Sequence, residues 1–302
     1  MVPAGHAARG RAQPTQPTQT AGSRRRHRAD DGSRQHSSRS WTARGVIAMA
    51  SKALPARTSP FRAISFDAGE TLVRPYPSFA AAFAGICRQH GLRITRAQAA
   101  EIGAASTRRL IEYQRRGLTF SNSTESSREF WMGLYREFLA GLGVGGEMLA
   151  TLPERLYDGF TRAERYRPFA DARLALRAAR KRGLVVGVLS NWEPWLVRLL
   201  GELKIDHLLD FVVVSGVCGY EKPDPRIYRE ALKAAGVSPG EMVHVGDSLH
   251  TDVAGARAVG ITPVLLDRHR RHPDADCLRV ASLRELTAPG GVLDGVLPTT
   301  GG

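Results

Sequence analysis

FRAISFDAGETL, residues 61–72, decides the fold. Its first seven residues form a short apolar run that ends on a carboxylate and enters a glycine-containing turn, the pattern of a buried strand followed by a loop. Downstream, four more apolar runs follow the same plan: LVVGVLS (184–190), FVVVS (211–215), MVHVG (242–246) and ITPVLL (261–266). Helical patterns separate them at 170–182, 193–203, 225–235 and 252–259, the third opened by Asp224 as N-cap with Pro225 in its first turn and closed by Gly236. Strands alternating with helices of this length predict an α/β fold, a Rossmann-like parallel sheet core covered by helices on both faces. In such a sheet ligands bind beyond the carboxyl ends of the strands.

Between the first strand and the second, the pattern changes. After Pro75 and Pro77 helical periodicity runs through 78–90, 95–116, 124–140 and 146–160, which predicts an inserted small α-helical cap over residues 78–166. The core then comprises 61–77 and 167–285, and residues 286–302 are expected to be a C-terminal tail. Phe130, Trp131, Leu134, Tyr135, Phe138 and Leu139 recur at helical spacing and are read as cap core.

Residues 1–60 carry Gln-Pro-Thr repeats and the cluster SRRRHR, without apolar periodicity, and are expected to be a disordered basic tail. An organelle transit peptide and a true start at Met49 are the two other readings of this segment. The tail holds eleven basic and two acidic residues, a local charge of +9 out of +14 for all 302 residues. The basic balance therefore points to non-specific nucleic-acid contact through the tail at most. Three cysteines, Cys87, Cys218 and Cys277, are widely spaced and odd in number, which fits a reducing compartment better than a disulfide framework. The expected location is cytoplasmic, or an organelle if the tail is a transit peptide. No run approaches the roughly 18 consecutive apolar residues of a membrane span.

The predicted strand ends gather chemistry. Asp67 follows the first, Ser190 and Asn191 the second, Lys222 the third, Asp247 and Asp252 the fourth. Clustered carboxylates call for a cation, and oxygen ligands of this kind suit Mg²⁺. A hydroxyl and an ammonium opposite them suit a phosphoryl group.

FDAGETL (66–72), VLSN (188–191), EKPDPRIY (221–228) and VGDSLHTDVAGARAVG (245–260) resemble, in order and spacing, the four motifs of the haloacid dehalogenase-like hydrolase superfamily. The resemblance covers residues 61 to about 270 and is nearest the branch of Reg-2-like and HDHD3-like proteins. It implies that Asp67 is the nucleophile, forming an aspartyl-phosphate that water hydrolyses. Lys222 and Ser190 would hold the phosphoryl group, and Thr71 would orient the nucleophile's loop. Gly69, Ser190, Asn191, Trp192 and Lys222 are the expected substrate-binding positions, and Asp67, Gly69, Asp247 and Asp252 the expected Mg²⁺ site, Asp252 either as a ligand or as a partner behind the ligands. The function implied is a Mg²⁺-dependent phosphatase of a small phosphorylated metabolite, acting as a monomer or homodimer with no membrane partner.

One departure complicates that reading. Phosphatases of this superfamily carry a second aspartate two residues after the nucleophile, where it protonates the leaving oxygen; here the position is Gly69, followed by Glu70. General acid–base help of this kind is worth about 10²–10⁴-fold. Three explanations stay open: Glu70 supplies the proton, the leaving group needs none, or turnover is weak and the protein mainly binds. A 2-haloacid dehalogenase also lacks the second aspartate and shares Ser-Asn, but it would lack the acidic pair Asp247 and Asp252. Phosphonate cleavage through a cap lysine is a weaker third reading, because residues 78–166 contain no lysine. His244 is read as a core histidine, and RHRRH (268–272) as a solvated surface stretch.

Overall fold

In a computed structural model, the described residues are 61–294, Ser59 and the strand Val46–Ala48. The rest of the expected disordered tail lies outside them. In chain order the first elements are β1 (Val46–Ala48), β2 (Ala63–Phe66) and β3 (Val73–Pro75), followed by α1 (Phe79–Gln89), α2 (Arg96–Arg115), α3 (Thr124–Gly141) and α4 (Gly146–Phe160). Next come β4 (Tyr166–Pro168), α5 (Ala172–Lys181), β5 (Val185–Ser190), α6 (Leu196–Glu202), β6 (Phe211–Val214), α7 (Ser215–Cys218) and α8 (Pro225–Ala235). The chain continues through β7 (Met242–Gly246), α9 (Gly255–Ala258), β8 (Thr262–Leu266), β9 (Leu278–Val280) and α10 (Leu283–Thr287).

The main sheet runs β1-β6-β5-β2-β7-β8-β9, with six parallel strands and β1 antiparallel at the β6 edge. Its strands alternate their side chains between two apolar layers, as a pleat of period two requires. Ile64, Phe66, Val186, Val188, Val243 and Val245 pack with Ala175, Leu176 and Ala179 of α5 and Leu199 of α6. Ala63, Leu189, Phe211, Val213 and Met242 face the other way, against Ile227, Tyr228 and Ala231 of α8. Both faces are thus covered by helices, as the apolar runs predicted. The α8 caps also follow the sequence: Asp224 accepts from the Arg226 amide at 2.8 Å, and Gly236 takes φ +65°.

Helices α1–α4 enclose a separate apolar cluster containing Phe83, Ile86, Leu134, Leu139, Leu156 and Phe160. Strands β3 and β4 pair antiparallel where the chain leaves the core for these helices and returns. That ribbon was not foreseen, because three-residue strands holding Pro75 and Pro168 show no alternation long enough to read.

Two expectations need correction. The C-terminal tail begins later than residue 286: Leu286 and Leu293 are buried against the core, and Arg182 pairs with Asp294 at 2.9 Å. Val46–Ala48, inside the expected disordered tail, supplies the edge strand β1. Among the described residues no helix is long and apolar enough to cross a membrane.

Candidate active site

The carboxyl ends of β2, β5 and β7 lie side by side, so the residues just beyond them are brought together by the parallel register alone. Asp67, one residue past β2, continues the ladder through its amide to the Val245 carbonyl at 2.8 Å. Its Oδ1 accepts from Ser190 Oγ, the last residue of β5, at 2.9 Å, and from Lys222 Nζ at 2.7 Å.

Lys222 is 2% exposed and bridges two carboxylates, its second partner being Asp252 Oδ1. Asn191 fixes the backbone that carries it, donating from Nδ2 to the Lys222 carbonyl at 2.9 Å and accepting the Lys222 amide at 2.7 Å. The expected substrate-binding role of Asn191 is therefore joined by a positioning one. Burial alone would favour a neutral lysine, but the charges of Asp252 and Asp67 outweigh it and hold the ammonium above its ordinary range.

Of the two roles expected for Asp252, metal ligand or partner behind the ligands, its contacts fit the second. Its Oδ1 also receives His244 Nε2 at 3.0 Å, and its Oδ2 accepts the Ser248 amide at 3.0 Å. Burial disfavours its charge, yet Lys222 and His244 prevail and keep the carboxyl well below the usual range. With both oxygens engaged, Asp252 anchors Lys222. Gly246 makes room for it: a Cβ there would stand 2.1 Å from Asp252 Cγ. His244, fully buried, is held on its other nitrogen by Ser65 Oγ at 2.9 Å, so it is the core histidine expected, with a positioning task added.

Asp247 is the contrasting carboxylate. It makes no hydrogen bond or ion pair among the described residues. Asp247 is solvent-exposed, yet crowding by the groups around it, then the charges of Asp67 and Asp252, push its carboxyl above the usual range. Burial likewise raises Asp67, against the pull of Lys222. Two carboxylates that crowd each other and lack sufficient counter-charge fit a cation. No group of three His, Cys, Asp or Glu side chains at metal-holding distance occurs among the described residues. The carboxylates on offer are thus Asp67 and Asp247, with Gly69 beside the first, and they suit Mg²⁺, an ion that keeps several waters and takes one or two carboxylates.

The remaining expected residues divide. Thr71 is fully buried, but its hydroxyl has no hydrogen-bond partner among the described residues. The loop it belongs to is instead held by Arg268, which donates to the Thr71 carbonyl at 2.9 Å, grips both oxygens of Asp171 at 2.9 and 3.0 Å, and lies 3.9 Å over the Phe169 ring. RHRRH is therefore not uniformly a solvated stretch. Glu70 is exposed at φ +52°, a left-handed turn position, and no hydrogen bond ties its side chain among the described residues.

Above this floor lies a cavity of about 350 Å³ roofed by α1–α4. Gly69, Asn191 and Trp192 form its base, while Phe79, Trp131, Tyr135 and Phe160 line its roof. The aromatic stripe of α3 therefore serves two purposes, with Leu134 and Leu139 in the cap core and Trp131 and Tyr135 reaching the cavity. The roof is tied down by two carboxylates that the sequence did not single out. Glu193 accepts from Ser127 Oγ at 2.7 Å and Tyr157 Oη at 2.5 Å, and Glu221 accepts the Phe120 and Ser121 amides at 3.0 and 2.7 Å. Only the folded chain brings these partners within reach.

The sequence matches the haloacid dehalogenase-like hydrolase family over residues 61–260. The chain belongs to that family and is a hydrolase. Haloacid dehalogenase-like hydrolase domain-containing protein 3 of Bos taurus is 32% identical over 68% of this chain and 81% of its own. A phosphoserine phosphatase of Thermus thermophilus is 39% identical over 51% of this chain and 62% of its own. Among solved structures, a putative hydrolase of the family from Bacillus subtilis, bound to magnesium, superimposes with a TM-score of 0.64 at 14% identity, covering 75% of this chain and 96% of that one, which bears on the fold alone.

Proposed function

We propose that this hydrolase is a Mg²⁺-dependent phosphatase that works through an aspartyl-phosphate on Asp67. The observation that carries the reading is the buried bridge of Lys222 between Asp67 and Asp252, with Ser190 on the same Asp67 oxygen. A phosphoryl group approaching a carboxylate brings negative charge against negative charge, and preorganised donors at that point are the largest lever on such a step. Relatives named as phosphatases support the same chemistry.

In the reaction, Asp67 attacks phosphorus through the oxygen not engaged by Ser190 and Lys222. The ester P–O bond breaks with its electron pair on the leaving oxygen. Water then attacks the aspartyl-phosphate, releases inorganic phosphate and regenerates the carboxylate. Lys222 and Ser190 turn from Asp67 Oδ1 toward the phosphoryl oxygens, and Asp252 keeps Lys222 in place. Asp67, Asp247 and Gly69 would hold Mg²⁺, which when bound supplies positive charge to the phosphoryl oxygens. The roof keeps bulk water from the reacting atoms.

The test is hydrolysis of acetyl phosphate and a set of phosphomonoesters by the parent chain and by Asp67→Asn, with Mg²⁺ and with EDTA. Turnover that needs both Asp67 and Mg²⁺ is expected. Rates no higher than those of Asp67→Asn overturn the reading, and chloride release from a 2-haloacid in EDTA would replace it with dehalogenation, the reading that Gly69 and Ser190-Asn191 also permit.

A further inference from the structure

We infer that the preferred substrate is an aryl phosphate whose ring carries no second ionic group. This deepens the phosphatase reading and rests on it. Three independent features of the chamber lead there.

The first is the lining. Trp131, Tyr135, Phe160, Tyr166, Trp192 and Trp195 surround the cavity, and its walls include no lysine, arginine or histidine. The formal charges on the wall are Glu70 and Glu193, and Glu193 is 6% exposed. A carboxylate or second phosphate on the carbon part of the substrate would enter without a counter-ion and beside a buried anion, an arrangement that costs far more than burying a neutral ring. A flat apolar ring instead gains contact on all sides, and the volume of about 350 Å³ is that of a small-molecule site, near the lower end of the usual range of about 300–1,000 Å³.

The second feature is the side that the two indoles of the chamber floor turn to the cavity. The indole N–H groups of Trp192 and Trp195 are buried and have no hydrogen-bond partner among the described residues, although both side chains line the cavity. With both nitrogens covered even from water, the carbon parts of the two indoles are what meets the cavity, and they offer contact to a ring rather than hydrogen bonds to an ionic group.

The third is the vacant acid position. A Cβ built on Gly69 would lie 3.2 Å from Trp192 Cζ3 and 3.9 Å from Asp67 Oδ2, so the indole occupies the space beside the nucleophile into which an acidic side chain would project. The leaving oxygen departs without a proton donor from that residue. An alkoxide leaves poorly under those conditions, whereas a phenolate, whose conjugate acid has a pKa of about 10, leaves with its electron pair and takes a proton from water afterwards. The absent acid and the aromatic chamber thus select the same class of substrate, one through the chemistry of departure and the other through binding.

The experiment compares 1-naphthyl phosphate with 4-carboxyphenyl phosphate, whose leaving groups are closely matched in basicity, and with glycerol phosphate. Acetyl phosphate is included because it is too small to need the chamber. For the parent chain, kcat/KM for 1-naphthyl phosphate is expected to exceed that for 4-carboxyphenyl phosphate by at least about tenfold, through the uncompensated charge. It should exceed that for glycerol phosphate by about 10²-fold or more. Leu110→Arg, which places a cation on the chamber wall, should reverse the first preference. Titration of both aryl phosphates into Asp67→Asn should show the same order in binding without turnover. Hydrolysis of acetyl phosphate with no preference for the neutral aryl ester overturns the inference and leaves the phosphatase reading intact. Absence of turnover on all four substrates removes the reading beneath it.

Discussion

At the floor of the chamber polar and charged groups are linked in series, Ser65 to His244, His244 to Asp252, Asp252 to Lys222 and Lys222 to Asp67, each link a hydrogen bond or ion pair of 3.0 Å or less. The roof lies directly above and is made of rings: Phe79 and Phe160 with centroids 4.9 Å apart, Phe130 and Trp131 at 5.1 Å. The floor fixes charge in a few positions and tolerates no substitution that leaves a neighbour unpaired. The roof fixes shape, and the cavity lining it contributes has no cation with which to choose among anions. On the function proposed above, reaction type and substrate choice reside in different parts of the chain, the first beyond the strand ends and the second in the helices inserted between β3 and β4.

The harshest way to break the floor is Lys222→Met. Two buried carboxylates then face each other without the ammonium, and loss of one partner from a buried ion pair costs about 3–5 kcal/mol. Denaturant unfolding at neutral pH should register that loss. Catalysis should fall by at least about 10²–10³-fold, the usual effect of removing one preorganised donor. A variant that keeps full activity would detach Lys222 from the phosphoryl chemistry, whereas the roof's amide-exchange protection is expected to stay as it was.

A second prediction concerns the loop that connects the two regions. Arg268 ties Asp171 to the Thr71 carbonyl, and Asp171 also accepts from Ser282 Oγ and the Leu283 amide. Burial opposes the charge of Asp171, but Arg268 and Ser282 outweigh it and lower its carboxyl below the ordinary value. A carboxylate lowered in the folded state contributes stability above its unfolded pKa of about 3.9 and loses it as pH falls through the folded value. Asp171→Asn should therefore be less stable than the parent at pH 7 by about 1–3 kcal/mol. The gap should narrow on acidification below about pH 4. Chemical denaturation from pH 7 to 3 measures it, and a gap independent of pH would show that packing, not charge, holds the loop.

What the sequence reveals follows the same division. Asp67 and Ser190 are legible because apolar runs announce the strands and the polar residue that ends each run must lie at one edge of the sheet, whereas Lys222 lies past α7 and is legible through the EKPDPRIY motif. For Asp252 the sequence leaves ligand and supporting partner open, since its ties to Lys222 and His244 exist only once β7 and the loop before α8 are side by side. Arg268 was hidden within a basic run whose other members give no sign of which side chain turns inward. In α3 one apolar stripe supplies both cap core and chamber wall, and helical spacing has no mark that separates Leu134 from Trp131. Glu193 and Glu221 would ordinarily be read as solvated loop residues, and their burial depends on partners 36 to 101 residues away.

The smallest expected effect is the most informative, because it couples floor to roof. Gly69→Asp would restore the side chain from which phosphatases of this superfamily deliver a proton, but its Cβ would stand 3.2 Å from the Trp192 ring. Alone, the substitution should lower kcat/KM several-fold on every phosphomonoester, since the indole must shift before the carboxyl can reach the leaving oxygen. Combined with Trp192→Ala, which opens the space, it should raise hydrolysis of glycerol phosphate by about tenfold over Trp192→Ala itself, well short of the 10²–10⁴-fold that a fully aligned acid provides. The two substitutions should therefore be strongly non-additive in a double-mutant cycle, as neighbours competing for one volume are. An increase on glycerol phosphate from Gly69→Asp alone would mean that the indole yields freely. The missing acid would then be a property of residue 69 only, and floor and roof would be independent after all.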